Sequence, residues 1–130
     1  MTRDESLKEL REFLIAGYRL STGERREMSD LQIGFMDEAI EGLSLLEVIP
    51  TRMFGAALRY IVEGVKPGHF LSAVVENDLS AAVARADDEN QAALVSWVRF
   101  FHNYSPSVCW GSKANMVKWV EDGMEWRGRR

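Results

Sequence analysis

Apolar residues recur every three or four positions along most of the chain, the spacing that lines one face of an α-helix. Leu7, Leu10, Phe13, Leu14 and Tyr18 form the first such run, with Asp4 and Glu5 where a helix N-terminus favours negative charge, and predict a helix from Arg3 to Tyr18. Leu20 to Met28, reading STGERRE in its middle, is a loop or hinge by composition. Ser29 or Asp30 then caps a second helix to about Glu41, with Leu31, Phe35, Met36 and Ile40 on one face and Gly34 and Gly42 weakening it. Pro50 opens a clearer helix, because its missing N–H is not needed in a first turn, and Gly64 suits the stop. Met53, Ala57, Leu58, Ile61 and Val62 are its expected buried stripe.

Lys66-Pro67-Gly68 is turn chemistry, with Pro67 starting a short helix that carries Phe70, Leu71, Val74 and Val75 to the core. Asn77 tolerates the left-handed conformation that ends a helix and Asp78 is a strong N-cap, so one helix ends and another begins at Leu79. Asp87 or Asp88 repeats the device. The longest periodic run is Glu89 to Tyr104, with Ala93, Leu94, Trp97, Val98, Phe101 and Tyr104 on its apolar face. Pro106 stops it, Ser107 to Gly111 form a loop containing Trp110, and Ser112 caps a last helix through Met116, Val117, Trp119 and Val120 to Gly123. No alternating run is long enough for a strand and no solenoid repeat is present. The predicted fold is all-α, a compact bundle of five to seven short helices joined by tight turns. Residues 1–48 form an N-terminal helical arm or subdomain with a polar loop near 20–28, 49–123 the helical core, and 124–130 a basic tail.

Composition narrows the function classes. With 130 residues, 46% hydrophobic and 28% charged, the chain fits one ordinary globular domain. A net charge of -4 speaks against a DNA-binding role, whose phosphate contacts need a basic face, and the tail arginines Arg127, Arg129 and Arg130 read as a solvated end. No apolar run approaches a membrane span and no leader precedes the first helix, so a cytoplasmic location and no membrane association are expected. The single cysteine, Cys109, excludes an internal disulfide and a thiolate-rich zinc site.

Candidate chemistry concentrates in NDLSAAVARADDEN. On a continuous helix Asp78 and Arg85 lie nearly two turns apart on one face, so a guanidinium and carboxylates, with Asn77, Asp87 and Asn90, could line a polar cleft. The competing reading is punctuation: Asn77, Asp78, Asp87 and Asp88 all suit helix ends, Asp88 with Gln91 resembles a capping box, and Arg85 with Glu89 suits a surface pair. In the loop NYSPSVCWGS, Trp110 could stack on a base and Ser112 at a helix N-terminus could receive an anion, or Trp110 could plug the core. His69 and His102 lack partners at metal-ligand spacing, a Cys109–His102 nucleophile pair rests on proximity alone, and no phosphate-binding, dinucleotide or HExxH motif is present. No catalytic constellation, metal or cofactor is expected.

Pro67-Gly68, Phe70-Leu71, Asn77-Asp78-Leu79, Ala86-Asp87, Asn90 and Cys109-Trp110-Gly111-Ser112 together resemble a group of short phage and prophage proteins, over roughly Ile49 to Val120. The resemblance implies a small helical fold and a phage or prophage origin, and carries no activity. Accessory proteins of that kind commonly bind a host protein or sequester a host signal such as a cyclic nucleotide. Two functional expectations follow. One is a non-enzymatic protein holding a small polar ligand, such as a host nucleotide immune signal, through Asn77, Asp78, Arg85, Asp87, Asn90, Trp110 and Ser112, in evasion of host defence. The other is an interaction module that inhibits or adapts a host or phage protein. Self-association into a homo-oligomer is expected under either.

Overall fold

A computed structural model describes the backbone of residues 1–16, 18–19 and 25–127, and the side chains of 1–16 and 27–122. The chain is all-α, as the periodicity predicts. Its elements run α1 (Arg3–Ile15), a two-residue antiparallel pair β1 (Tyr18–Arg19) and β2 (Arg25–Arg26), α2 (Asp30–Leu45), a 3₁₀ turn (Thr51–Met53), α3 (Phe54–Glu63), α4 (His69–Val75), α5 (Leu79–Arg85), α6 (Asp88–Ala92), α7 (Leu94–Tyr104), a second 3₁₀ turn (Ser107–Cys109) and α8 (Lys113–Arg127). Much of the expected polar loop (residues 20–24) and the end of the basic tail (128–130) lie outside the described residues.

Helix boundaries follow local chemistry. Thr2 caps α1 by accepting from the Glu5 amide. Ser29 and Gln32 form a reciprocal capping box at the start of α2, and the buried Gln32 amide also donates to the Val62 carbonyl of α3 at 3.0 Å. Gly64 ends α3 at φ 70°, a left-handed conformation that costs glycine nothing. Asn77 ends α4 at φ 62°: its N–H and that of Asp78 reach back to the Val74 and Ala73 carbonyls, the paired bonds of a Schellman stop.

Several expectations are corrected in detail. The first helix stops at Ile15, and Tyr18 falls in β1. In α2 the buried positions are Gln32, Met36, Ala39, Gly42 and Leu43, while Leu31 faces solvent, and the helix continues through Gly42 to Leu45. Gly68, rather than Pro67, occupies the N-cap of α4. The run from Glu89 to Tyr104 divides at Ala93 into α6 and α7, because Asp87 caps the short piece and Ala93 leaves helical geometry. Gly123 does not end α8, whose backbone continues to Arg127.

The core is one cluster that draws Leu7 and Leu14 from α1, Met36 and Leu43 from α2, and most of α3 and α4. At its centre Trp97, Phe100 and Phe101 make edge and stacked ring contacts at 5.1–6.2 Å, with Phe70 on one side and Trp110 stacked on Phe101 at 6.3 Å on the other. Tyr60 joins the C-terminal elements to this centre. Its hydroxyl donates to the Cys109 carbonyl at 2.5 Å, and its own carbonyl accepts from the Trp119 indole N–H at 2.8 Å. The Gly111 amide closes the loop against the end of α4, donating to the Val75 carbonyl at 2.8 Å.

Candidate functional site

The seven residues singled out by the sequence occupy three places. Asn77 and Asp78 are exposed at the α4–α5 turn, where Asp78 accepts from the Ala81 amide at 3.1 Å as the cap of α5. Arg85 is exposed at the far end of α5, and Asp87 caps α6 by accepting from the Asn90 amide at 2.9 Å. Asp87, not Asp88, is therefore the cap, and the capping-box pairing of Asp88 with Gln91 does not form. The extended Ala86 separates α5 from α6, so Arg85 and Glu89 do not share a helix. Trp110 and Ser112 lie beyond α7: Ser112 accepts from the Asn115 amide at 3.0 Å as the cap of α8, and Trp110 is half-buried between Phe101 and the His102 ring edge.

Asn90 points inward. It is 3% exposed, and its side-chain oxygen accepts from the Trp97 indole N–H at 3.1 Å, which satisfies the one polar group of the largest core ring. The loop reading of Trp110 as a plug and the punctuation reading of Asp78, Asp87 and Ser112 thus each have a bond or a packing contact behind them.

Arg52 has no signal in the local sequence pattern. It reaches across 35 residues to Asp87 and lies 3.4 Å from Glu89, linking the 3₁₀ turn before α3 to the start of α6. The Asn90 amide first, and Arg52 second, hold the Asp87 carboxyl below its ordinary range. Arg11, paired with Asp37 of α2 at 2.6 Å, is likewise missed from sequence, and so is Arg3. The Arg3 guanidinium donates to the carbonyls of Leu43, Leu46, Glu47 and Ile49 at 2.6–3.1 Å and lies 4.7 Å above the Phe54 ring, closing the open end of α2. Such cross-chain partners could be found only by knowing the fold.

Nucleophilic chemistry at Cys109 is disfavoured. The thiol is fully buried, its sulfur donates to Ser105 Oγ at 3.5 Å, and burial pushes its pKa up to about 11, so it stays protonated at neutral pH. His102 is exposed and turns toward Trp110. Among the described residues no three His, Cys, Asp or Glu side chains gather where they could hold a metal ion, and no helix is long and apolar enough to cross a membrane.

What the fold does assemble near the Asn77-Asp78 turn is an apolar face. Leu79 and Val83 lie one turn apart on α5, and Val95 and Val98 stand on α7; they are 66%, 45%, 72% and 42% exposed. A shallow depression of about 30 Å³ lies between the two helices, lined by Leu79, Ala82, Leu94 and Val98, with Asn77 and Asp78 at its edge. That volume admits roughly one water and no nucleotide, since small-molecule pockets span about 300–1,000 Å³. The face is therefore suited to surface contact. No family model, no curated protein and no solved structure matches the chain.

Proposed function

We propose that the chain is a non-catalytic interaction module that engages a protein partner through the face formed by α5 and α7. The observation that carries this reading is the meeting of two exposed aliphatic side chains, Leu79 of α5 and Val98 of α7, across a shallow apolar depression, with Val83 and Val95 exposed further along the same two helices. Contiguous exposed apolar surface rimmed by polar residues is characteristic of protein contact sites. Asn77 and Asp78 form the polar edge of the depression and would orient the partner. The partner presents an apolar stripe of its own, such as the buried face of an amphipathic helix. On the resemblance to short phage and prophage proteins, it is a host or phage protein met in the bacterial cytoplasm.

This reading is favoured over a small-ligand pocket because Asp78, Asp87, Asn90 and Ser112 already spend their side chains on bonds within the fold. The test pairs two measurements on the full chain. A stoichiometric partner captured from host lysate is lost, or bound at least about tenfold more weakly, with Leu79→Glu or Val98→Glu, neither of which disturbs the core. Thermal unfolding against a panel of cyclic and linear nucleotides leaves the midpoint of the wild type unchanged. A shift of several degrees with one nucleotide class, abolished by Arg85→Ala, would replace this proposal with the ligand reading.

A further inference from the structure

Helix α5 is held to the fold by far less than the helices it packs beside. Of its seven residues only Ala82 is buried, with Ala81 and, just past its end, Ala86 half-buried, so the packed side of the helix consists of methyl groups. Its two larger apolar side chains, Leu79 and Val83, are exposed. By contrast α4 buries six of its seven residues, and α7 buries Trp97, Phe100 and Phe101. Among the described residues no side chain of α5 hydrogen-bonds outside the helix, and the cap Asp78 serves only the first turn of α5 itself. Short helices owe their stability to tertiary burial rather than to propensity, so α5 is the helix that the core holds least.

Both ends of α5 also leave helical geometry within one residue. Asn77 turns the chain out of α4 at φ 62°, and Ala86 leaves α5 extended. Hinges are a few such element-terminal residues, which absorb the backbone rotation while the segment between them moves as a body. Under the helix, Ala73 and Val74 of α4 and Leu94 and Val98 of α7 line the depression that Leu79 and Ala82 border from α5. We propose that α5 is a flap that opens as one unit about Asn77 and Ala86 while the rest of the fold stays intact, uncovering the apolar surface of α4 and α7 beneath it. Opening parts Leu79 from Val98, so the α5–α7 face exists only while the flap is closed, and a partner that holds both residues pins it shut. That consequence for a partner rests on the reading of the face given above, whereas the opening is a property of the chain alone.

The experiment is amide hydrogen exchange of the full chain, followed residue by residue by NMR under native conditions and at low urea concentrations. The amides of Ala82 to Arg85, bonded within α5, share one opening equilibrium, at least about 100-fold more favourable than that of Leu58 to Val62 in α3 and nearly independent of urea, because little surface is exposed. Ile61→Val removes one methylene at a fully buried position of α3 and keeps the fold. It speeds exchange in α3 by about two- to tenfold and leaves α5 unchanged, since the core is whole in the open state. Amides of α5 that exchange with those of α3 and speed up with Ile61→Val, or that fall along a gradient from Arg85 to Ala82 as one end frays, would overturn the proposal. Neither outcome bears on the partner reading, which stands or falls on Leu79→Glu and Val98→Glu.

Discussion

Asn90 belongs to a motif that reads as polar and functional, yet its side chain lies inside the protein and bonds the Trp97 indole. Removing it leaves a buried N–H without a partner, so Asn90→Ala is expected to cost about 1–3 kcal/mol in urea unfolding. The loss should disappear against a background in which Trp97 is already Phe, since that ring has no N–H to satisfy. Legibility at this scale divides by distance along the chain. Asn77, Asp78, Asp87 and Ser112 act on backbone within three or four residues of themselves, and their capping or stop roles could be read in advance. Gln32, Arg3 and Arg52 act on groups 30 to 46 residues away. Nothing in their own neighbourhood announces it.

Gly42 shows why an element can be placed correctly and its interior misread. In sequence it weakens α2, since glycine costs about 1 kcal/mol against alanine inside a helix. In the fold it is the contact point between α2 and α7: a Cβ there would lie 2.4–2.7 Å from Cβ, Cγ and Cδ2 of Tyr104. Gly42→Ala should therefore destabilise by about 1–3 kcal/mol despite alanine's better helix propensity, as judged by the thermal midpoint. Combined with Tyr104→Ala it should cost less than the sum of the two. Periodicity located α1, α3, α4 and α7 because each buries an apolar stripe. The break at Ala93 and the continuation of α8 past Gly123 were not legible, since an alanine gives no sign of a break and a glycine, which suits a stop, is here carried in helical backbone.

For the molecule as a whole, the buried thiol supplies a pH signature. Folding raises the Cys109 pKa from its ordinary 9.0 to about 11 by desolvation, so the folded chain keeps the proton that the unfolded chain releases. The associated stability is complete below about pH 9 and is lost as the pH rises through about 11. The wild-type midpoint should fall more steeply than that of Cys109→Ala across this window. The same burial should leave the thiol unmodified by aqueous thiol reagents at pH 7 until the chain is unfolded.

The central rings have a consequence for how the protein can be watched. Trp97 is held between Phe70, Phe100 and Phe101, with its N–H fixed on Asn90, and Trp119 is fixed on the Tyr60 carbonyl. Indoles locked in an asymmetric environment give intense near-ultraviolet circular dichroism, and that signal vanishes when specific packing is lost even while helices persist. The chain thus carries an optical gauge of its own tertiary order: a variant that keeps its far-ultraviolet spectrum and loses the near-ultraviolet bands has lost the fixed packing around its indoles while its helices persist.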